Sequence, residues 1–152
     1  MLKLLRDILK PVINKTHFLG IKPIENNMSK SKVKVISWLF DVEEHDYPAA
    51  ESYLSIIYSE AQVVDMMARF KSAAIVQFKA KDVFRASQLS LLGVSNLHVE
   101  KDRKKIQKGI SLSPLLFLRD SMNGKVVIAD GYHRLCAIYE FDEDAWVHCK
   151  II

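Results

Sequence analysis

Gly124-Lys125-Val126-Val127-Ile128-Ala129-Asp130-Gly131-Tyr132-His133-Arg134-Leu135-Cys136-Ala137-Ile138-Tyr139 runs from a β-branched segment through a polar turn into a helix-like pattern. Val126 to Ile128 read as a strand covered on both faces, because β-branched side chains suit a pleated surface and a continuous apolar run leaves no solvent face. Asp130-Gly131 breaks it. From Tyr132 the period changes, with Leu135, Ile138 and Tyr139 on one side of a helix and His133 and Arg134 in its first turn. A strand entering a helix through a glycine turn gathers free backbone N–H groups and the positive end of the helix dipole at one point, which is an anion site. Arg134 would add a fork of donors and His133 a hydrogen bond or a proton. An ordinary tight turn, with Asp130 as N-cap and solvated His133 and Arg134, accounts for the same letters.

Upstream, Ser113-Pro114 leads into a second strand, Leu115 to Leu118. Ser121-Met122-Asn123-Gly124 reads as a turn, so Leu115–Arg119 and Lys125–Ala129 should pair antiparallel. His98 to Lys108 has helical spacing, with Val99, Ile106 and Ile110 on one side and Lys101, Lys104, Lys105 and Lys108 on the other; Gly109 ends it. The lysine stripe reads either as a solvated face or as a positive patch bordering a phosphate or a nucleic-acid backbone. The last segment, Trp146 to Ile152, alternates with Val147, Cys149 and Ile151 on one face, a half-buried strand.

Asp130-Gly131-Tyr132-His133-Arg134, placed between that strand and helix and backed by Ser113-Pro114-Leu115-Leu116-Phe117-Leu118-Arg119, resembles the core of the ParB/sulfiredoxin-like superfamily. ParB N-terminal domains, sulfiredoxins and the free-serine kinases belong to it, and the similarity runs from Val76 to Ile152. The resemblance implies an α+β fold, a small mixed sheet with packed helices. It also implies a nucleotide (ATP, ADP or CTP), with Mg²⁺ as a companion ion, held at the turn. Gly131, Tyr132, His133 and Arg134 would bind the phosphates, with Lys101 and Lys104 from the facing helix, while Asp130 and His133 would be the catalytic candidates for phosphotransfer or hydrolysis. No metal-ligating residue is assigned. Sulfiredoxins carry their reactive cysteine where this chain has Tyr132, and Cys136 lies one helical turn later, so sulfinic-acid repair is not expected. The free-serine kinases carry a similar Asp-Gly-His-His-Arg turn, and Glu43 or Glu44 is the nearest candidate for their catalytic glutamate. A ParB-like nucleic-acid-associated protein or nuclease, and a non-catalytic binding module, stand as alternatives.

The remaining chain supplies the frame. Pro48 to Tyr58 reads as a helix with Ala50, Tyr53, Leu54 and Ile57 inward. Ser59-Glu60-Ala61-Gln62 is a capping-box pattern opening a second helix through Val63, Met66, Met67 and Phe70. This hairpin, residues 48–72, should precede the core. Val33 to Phe40 reads as an extended lead-in with Trp38, Leu39 and Phe40 supplying apolar surface. In Asp41-Val42-Glu43-Glu44-His45-Asp46 the acids favour a helix start or, alternatively, a metal or general-base role. Ala73 to Phe78 is strand-like, and Lys81 to Arg85 a short helix or turn in which Arg85 pairs with Asp82. Residues 1–32 read as a poorly ordered tail with a short amphipathic helix at Met1 to Lys10 and a plausible translation start at Met28; 33–152 form a single domain.

At 152 residues and 49% hydrophobic content the chain can build one core and is too short for two. A net charge of +4 permits a nucleotide or a nucleic acid as partner without requiring either. The two cysteines, Cys136 and Cys149, show no CxxC spacing, and no apolar run approaches the roughly 18 residues of a membrane span, so a cytoplasmic protein with free thiols and no membrane partner is expected. Oligomeric state leaves no trace in the sequence.

Overall fold

The computed structural model describes residues 35–152. The tail 1–32, the helix expected at Met1 to Lys10 and the start at Met28 lie outside the described residues. The elements run α1 (Asp46–Leu54), α2 (Glu60–Ser72), β1 (Val76–Lys79), α3 (Ala80–Ser87), α4 (Leu97–Gln107), β2 (Leu115–Asp120), β3 (Lys125–Asp130), α5 (Tyr132–Phe141) and β4 (Trp146–Ile151). Among the described residues this is a small α+β fold.

The strands form a mixed sheet in the order β1-β4-β2-β3. β2 pairs antiparallel with β3, placing Phe117 opposite Ile128 and Leu118 opposite Val127, as the hairpin pattern predicts. β4 pairs parallel with β2 and antiparallel with β1. Leu115 to Leu118 are buried at every position because both sheet faces are covered. Leu115, Phe117 and Ile128 pack with α3, α4 and α5, where Leu135, Cys136 and Ile138 lie. Leu116, Leu118 and Val127 pack with Leu54, Val63 and Phe70 of the α1–α2 hairpin.

Several local signals act as expected. Ser59 opens α2, with the Gln62 carbonyl accepting from both its N–H and its hydroxyl. Gly109, at φ +70°, closes α4: Gly109 N–H donates to the Ile106 carbonyl and Ile110 N–H to that of Lys105. That closure turns Ile110 outward, half exposed, rather than onto the buried face with Val99 and Ile106. Arg85 and Asp82 pair at 2.8 Å.

Other elements differ from the sequence expectation. α1 starts at Asp46 rather than Pro48 and ends at Leu54, so its buried stripe is Tyr47, Ala50 and Leu54. Tyr53 and Ile57 are exposed instead of inward. The apolar surface of the lead-in is also redistributed, because the chain is tied there by backbone bonds: Leu112 N–H to the Ser37 carbonyl and Leu39 N–H to the Leu112 carbonyl. Ile36 and Val42 are buried, Phe40 is fully exposed, and Trp38 stacks on His148 at 4.8 Å. β1 is only Val76–Lys79, an edge strand.

β4 carries Val147 and Cys149 inward on one face, but Lys150 on the other is buried as well, since the hairpin covers that side. Its ammonium donates to Tyr47 Oη at 3.0 Å and pairs with Asp41 at 2.9 Å. Burial works to lower its pKa, and the bonds to Tyr47 and Asp41 outweigh it and hold the group above its ordinary value.

Candidate functional site

Gly131 is the N-cap of α5 and lies at φ +97°, a conformation that side chains other than glycine rarely adopt. It also sits against β2: a Cβ added there would stand 2.5 Å from Leu115 Cγ. The turn therefore presses backbone onto the core, and α5 begins with no side-chain cap over the N–H groups of its first turn. Gly131 to Arg134 line a cleft of about 560 Å³. Its other walls come from α4 (His98, Lys101, Asp102, Lys105), from α1 and the residues before it (Glu43, His45, Asp46, Ala49, Tyr53), from the end of β3 and from Leu89.

Arg134 is not free to clamp a phosphate. Its guanidinium bonds Asp46 at 2.8 Å, the Ser113 carbonyl at 3.2 Å and the Asp130 carboxylate. The side chain is 11% exposed. Asp46 in turn accepts from Ser113 Oγ at 2.6 Å, and that same oxygen accepts from Glu43 N–H at 3.0 Å. Two carboxylates share one guanidinium, and together they fix the start of α1, the start of β2 and the turn before α5. The role assigned to Arg134 changes from ligand clamp to positioning group.

Asp130 changes with it. Burial raises its pKa above the ordinary carboxylate value and Asp46 adds to the rise, against the opposing pull of Arg134 and the Gly131 N–H. Its charge is spent on Arg134, so it does not stand free as a general base. His133 faces the cleft beside His98, ring centroids 5.0 Å apart. Burial lowers the His133 pKa, the neighbouring His98 lowers it further and Asp102 partly offsets both. A neutral imidazole follows near pH 7, able to donate one hydrogen bond or to accept a proton.

The lysine stripe divides. Lys101 and Lys105, one turn apart with His98 one turn before Lys101, line the cleft. Lys104 points about 100° away from Lys105, does not line the cleft, and pairs with Glu100 at 3.5 Å. Its place as a candidate phosphate ligand goes to Lys105, which lies 3.3 Å from Asp102. Tyr132 keeps its place at the turn, its hydroxyl donating to the Ser90 carbonyl.

Glu43, His45 and Asp46 bring one ligand atom each within 4.8 Å of one another. The fit to Mg²⁺ is poor: Asp46 Oδ2 is occupied by Arg134 and Ser113, its Oδ1 faces His45 at 3.3 Å, and the third group is an imidazole where Mg²⁺ prefers oxygen.

Sequence reasoning missed His98, Asp102 and Tyr53 as cleft residues. His98 stands one turn before Lys101 on the same face, a signal that was there to use. Asp46 could not have been paired with Arg134 from local pattern, since 88 residues separate them. Burial keeps both thiols out of this chemistry, pushing Cys149 up to about 12 and raising Cys136. No helix of the described residues is long and apolar enough to cross a membrane. Comparison with family models, curated proteins and solved structures finds no match to the chain.

Proposed function

We propose that this chain is a nucleotide-binding domain of the ParB/sulfiredoxin-like type, cytoplasmic, holding phosphate at the N-terminus of α5. The observation that carries this is the uncapped first turn of α5, opening behind Gly131 into a cleft that Lys101, Lys105, His98 and His133 also line. Backbone donors, the helix dipole and the Lys101 and Lys105 ammonium groups border one cleft and favour an anion, against Glu43 and Asp102 of the same lining. The strand-turn-helix order around Asp130–Arg134 supports the family reading, with Arg134 and Asp130 shaping the turn rather than touching the ligand. His133 is the group placed to give a hydrogen bond to a phosphate oxygen or to move a proton.

A nucleic-acid surface fits less well. Glu100 and Asp102 stand within ion-pair distance of Lys104 and Lys105, so the face is partly neutralised.

The test is a thermal-shift panel of pyrophosphate and nucleoside mono-, di- and triphosphates, with and without Mg²⁺, on the native chain and on Lys101→Glu/Lys105→Glu. A ligand at 100 times its Kd adds about 2.7 kcal/mol to stability, and the double variant should lose most of the resulting shift. No shift with any phosphate, or the same shift in both proteins, would reject the assignment. Duplex DNA binding abolished by Lys108→Glu, outside the cleft, would favour the nucleic-acid alternative instead.

A further inference from the structure

Tyr53 is a large aromatic side chain that the core does not use. It is 41% exposed and stands outside the cluster that buries Tyr47, Ala50 and Leu54 of the same helix. With Asp46 and Ala49 it lines the cleft, and the three sit at i, i+3 and i+7, one stripe along α1. At the helical rise of 1.5 Å per residue, Tyr53 lies about 10 Å along α1 from Asp46. Asp46 is bonded to Arg134 in the first turn of α5, so that end of the stripe is at the phosphate-binding turn. The small Ala49 keeps the wall between the two ends low. Leu89, a second exposed apolar side chain, lines the same cleft.

A helix end that favours anions and a part-exposed tyrosine about 10 Å further along one wall match a ligand with a phosphate at one end and a flat ring at the other. A ribose and a phosphate link bridge a gap of that order. We infer that Tyr53 is the stacking platform for the ring of the bound ligand, so that the cleft selects a nucleoside phosphate over a bare phosphate. The inference rests on the phosphate-binding function proposed above. A stacking face accepts any base, because every base has a π-face; selectivity among bases is not built into Tyr53.

The experiment is calorimetric titration of the full chain with pyrophosphate and with ADP, for the native protein, Tyr53→Ala and Tyr53→Trp, with the melting temperature of each measured alongside. Tyr53→Ala should weaken ADP binding by roughly tenfold or more, leave pyrophosphate binding unchanged, and melt near the native temperature because the side chain is not part of the core. Tyr53→Trp should keep ADP binding, and its indole fluorescence should change on ADP but not on pyrophosphate. Native-like ADP binding by Tyr53→Ala, or equal loss of ADP and pyrophosphate, overturns the platform while leaving phosphate binding intact or traced to a wider change. A native chain that binds neither ligand overturns both proposals.

Discussion

Replacing Gly131 by alanine tests the turn on which the site depends. Two independent terms oppose the substitution. The first is backbone strain: an L-residue held in left-handed conformation is disfavoured by about 1–2 kcal/mol, and φ here is +97°. The second is steric, because the new methyl would meet Leu115 Cγ at 2.5 Å and Leu115 Cβ at 3.2 Å, and Leu115 is fully buried. Overpacking of that kind costs about 1–3 kcal/mol. Together the loss is about 2–5 kcal/mol, a large part of the 5–15 kcal/mol that holds a typical domain folded. Gly109→Ala and Gly124→Ala are the controls, since both lie at positive φ with nothing within 4 Å of the added carbon; they should lose only the strain term. Urea unfolding of the three variants, read by midpoint at unchanged m, separates the two contributions. A double-mutant cycle with Leu115→Ala should show coupling, as the trimmed side chain removes the collision. Equal losses at Gly131, Gly109 and Gly124 would refute the close approach of the turn to β2.

Asp46→Asn and Asp130→Asn should differ in sign or nearly so. Asp46 is 5% exposed and holds Ser113 as well as Arg134, so its neutralisation should destabilise by about 1–3 kcal/mol; Asp130→Asn leaves one carboxylate to one guanidinium and should cost little at pH 7. Because folding raises the Asp130 pKa, its ionised form disfavours the native state above that raised value and the penalty vanishes below the unfolded value of 3.8; any advantage of Asp130→Asn in denaturation experiments should therefore shrink as pH falls toward 4. An Asp130→Asn loss equal to that of Asp46→Asn would reject this division of roles. His133, whose pKa is lowered in the free protein, should take up a proton when an anion binds, so sulfate affinity should rise as pH falls from about 7.5 to 5.5. His133→Gln should flatten most of that slope, and a slope identical to the native one would place the titration elsewhere.

The parts legible in the sequence are those fixed by neighbours along the chain. The β2–β3 hairpin, the strand-to-helix turn at Asp130-Gly131, the capping box at Ser59 and the Gly109 stop each depend on a few adjacent residues whose chemistry has one main outcome. The parts not legible depend on what another segment does. Lys150 sits at a position that alternation assigns to solvent, yet the α1–α2 hairpin covers it and supplies Tyr47 as its partner. Tyr53 belongs to an inward stripe only if the helix continues through Tyr58. The chain instead leaves the helix at Leu54, and Tyr47, Ala50 and Leu54 take the core face. Lys104 and Lys105 share one side of a helical wheel, and only the position of α5 decides that Lys105 faces the cleft.

The same dependence explains why Arg134 cannot serve as the probe of ligand binding that its place in the turn suggests. Removing it would leave Asp46 and Asp130 buried without their counter-charge, a change that typically destabilises by about 3–5 kcal/mol. A lost ligand shift in Arg134→Ala would then report unfolding as readily as lost contact. On the opposite wall Lys101 lines the cleft, and Lys105 lines it 3.3 Å from Asp102. On the function proposed above, Glu43 on the α1 side would repel a phosphate, while Lys101 and the α5 N-terminus would attract it, with Lys105 partly neutralised by Asp102. On that proposal the anionic end of a ligand would lie on the α4–α5 side of the cleft, leaving the stretch of α1 at Ala49 and Tyr53 to receive its uncharged part.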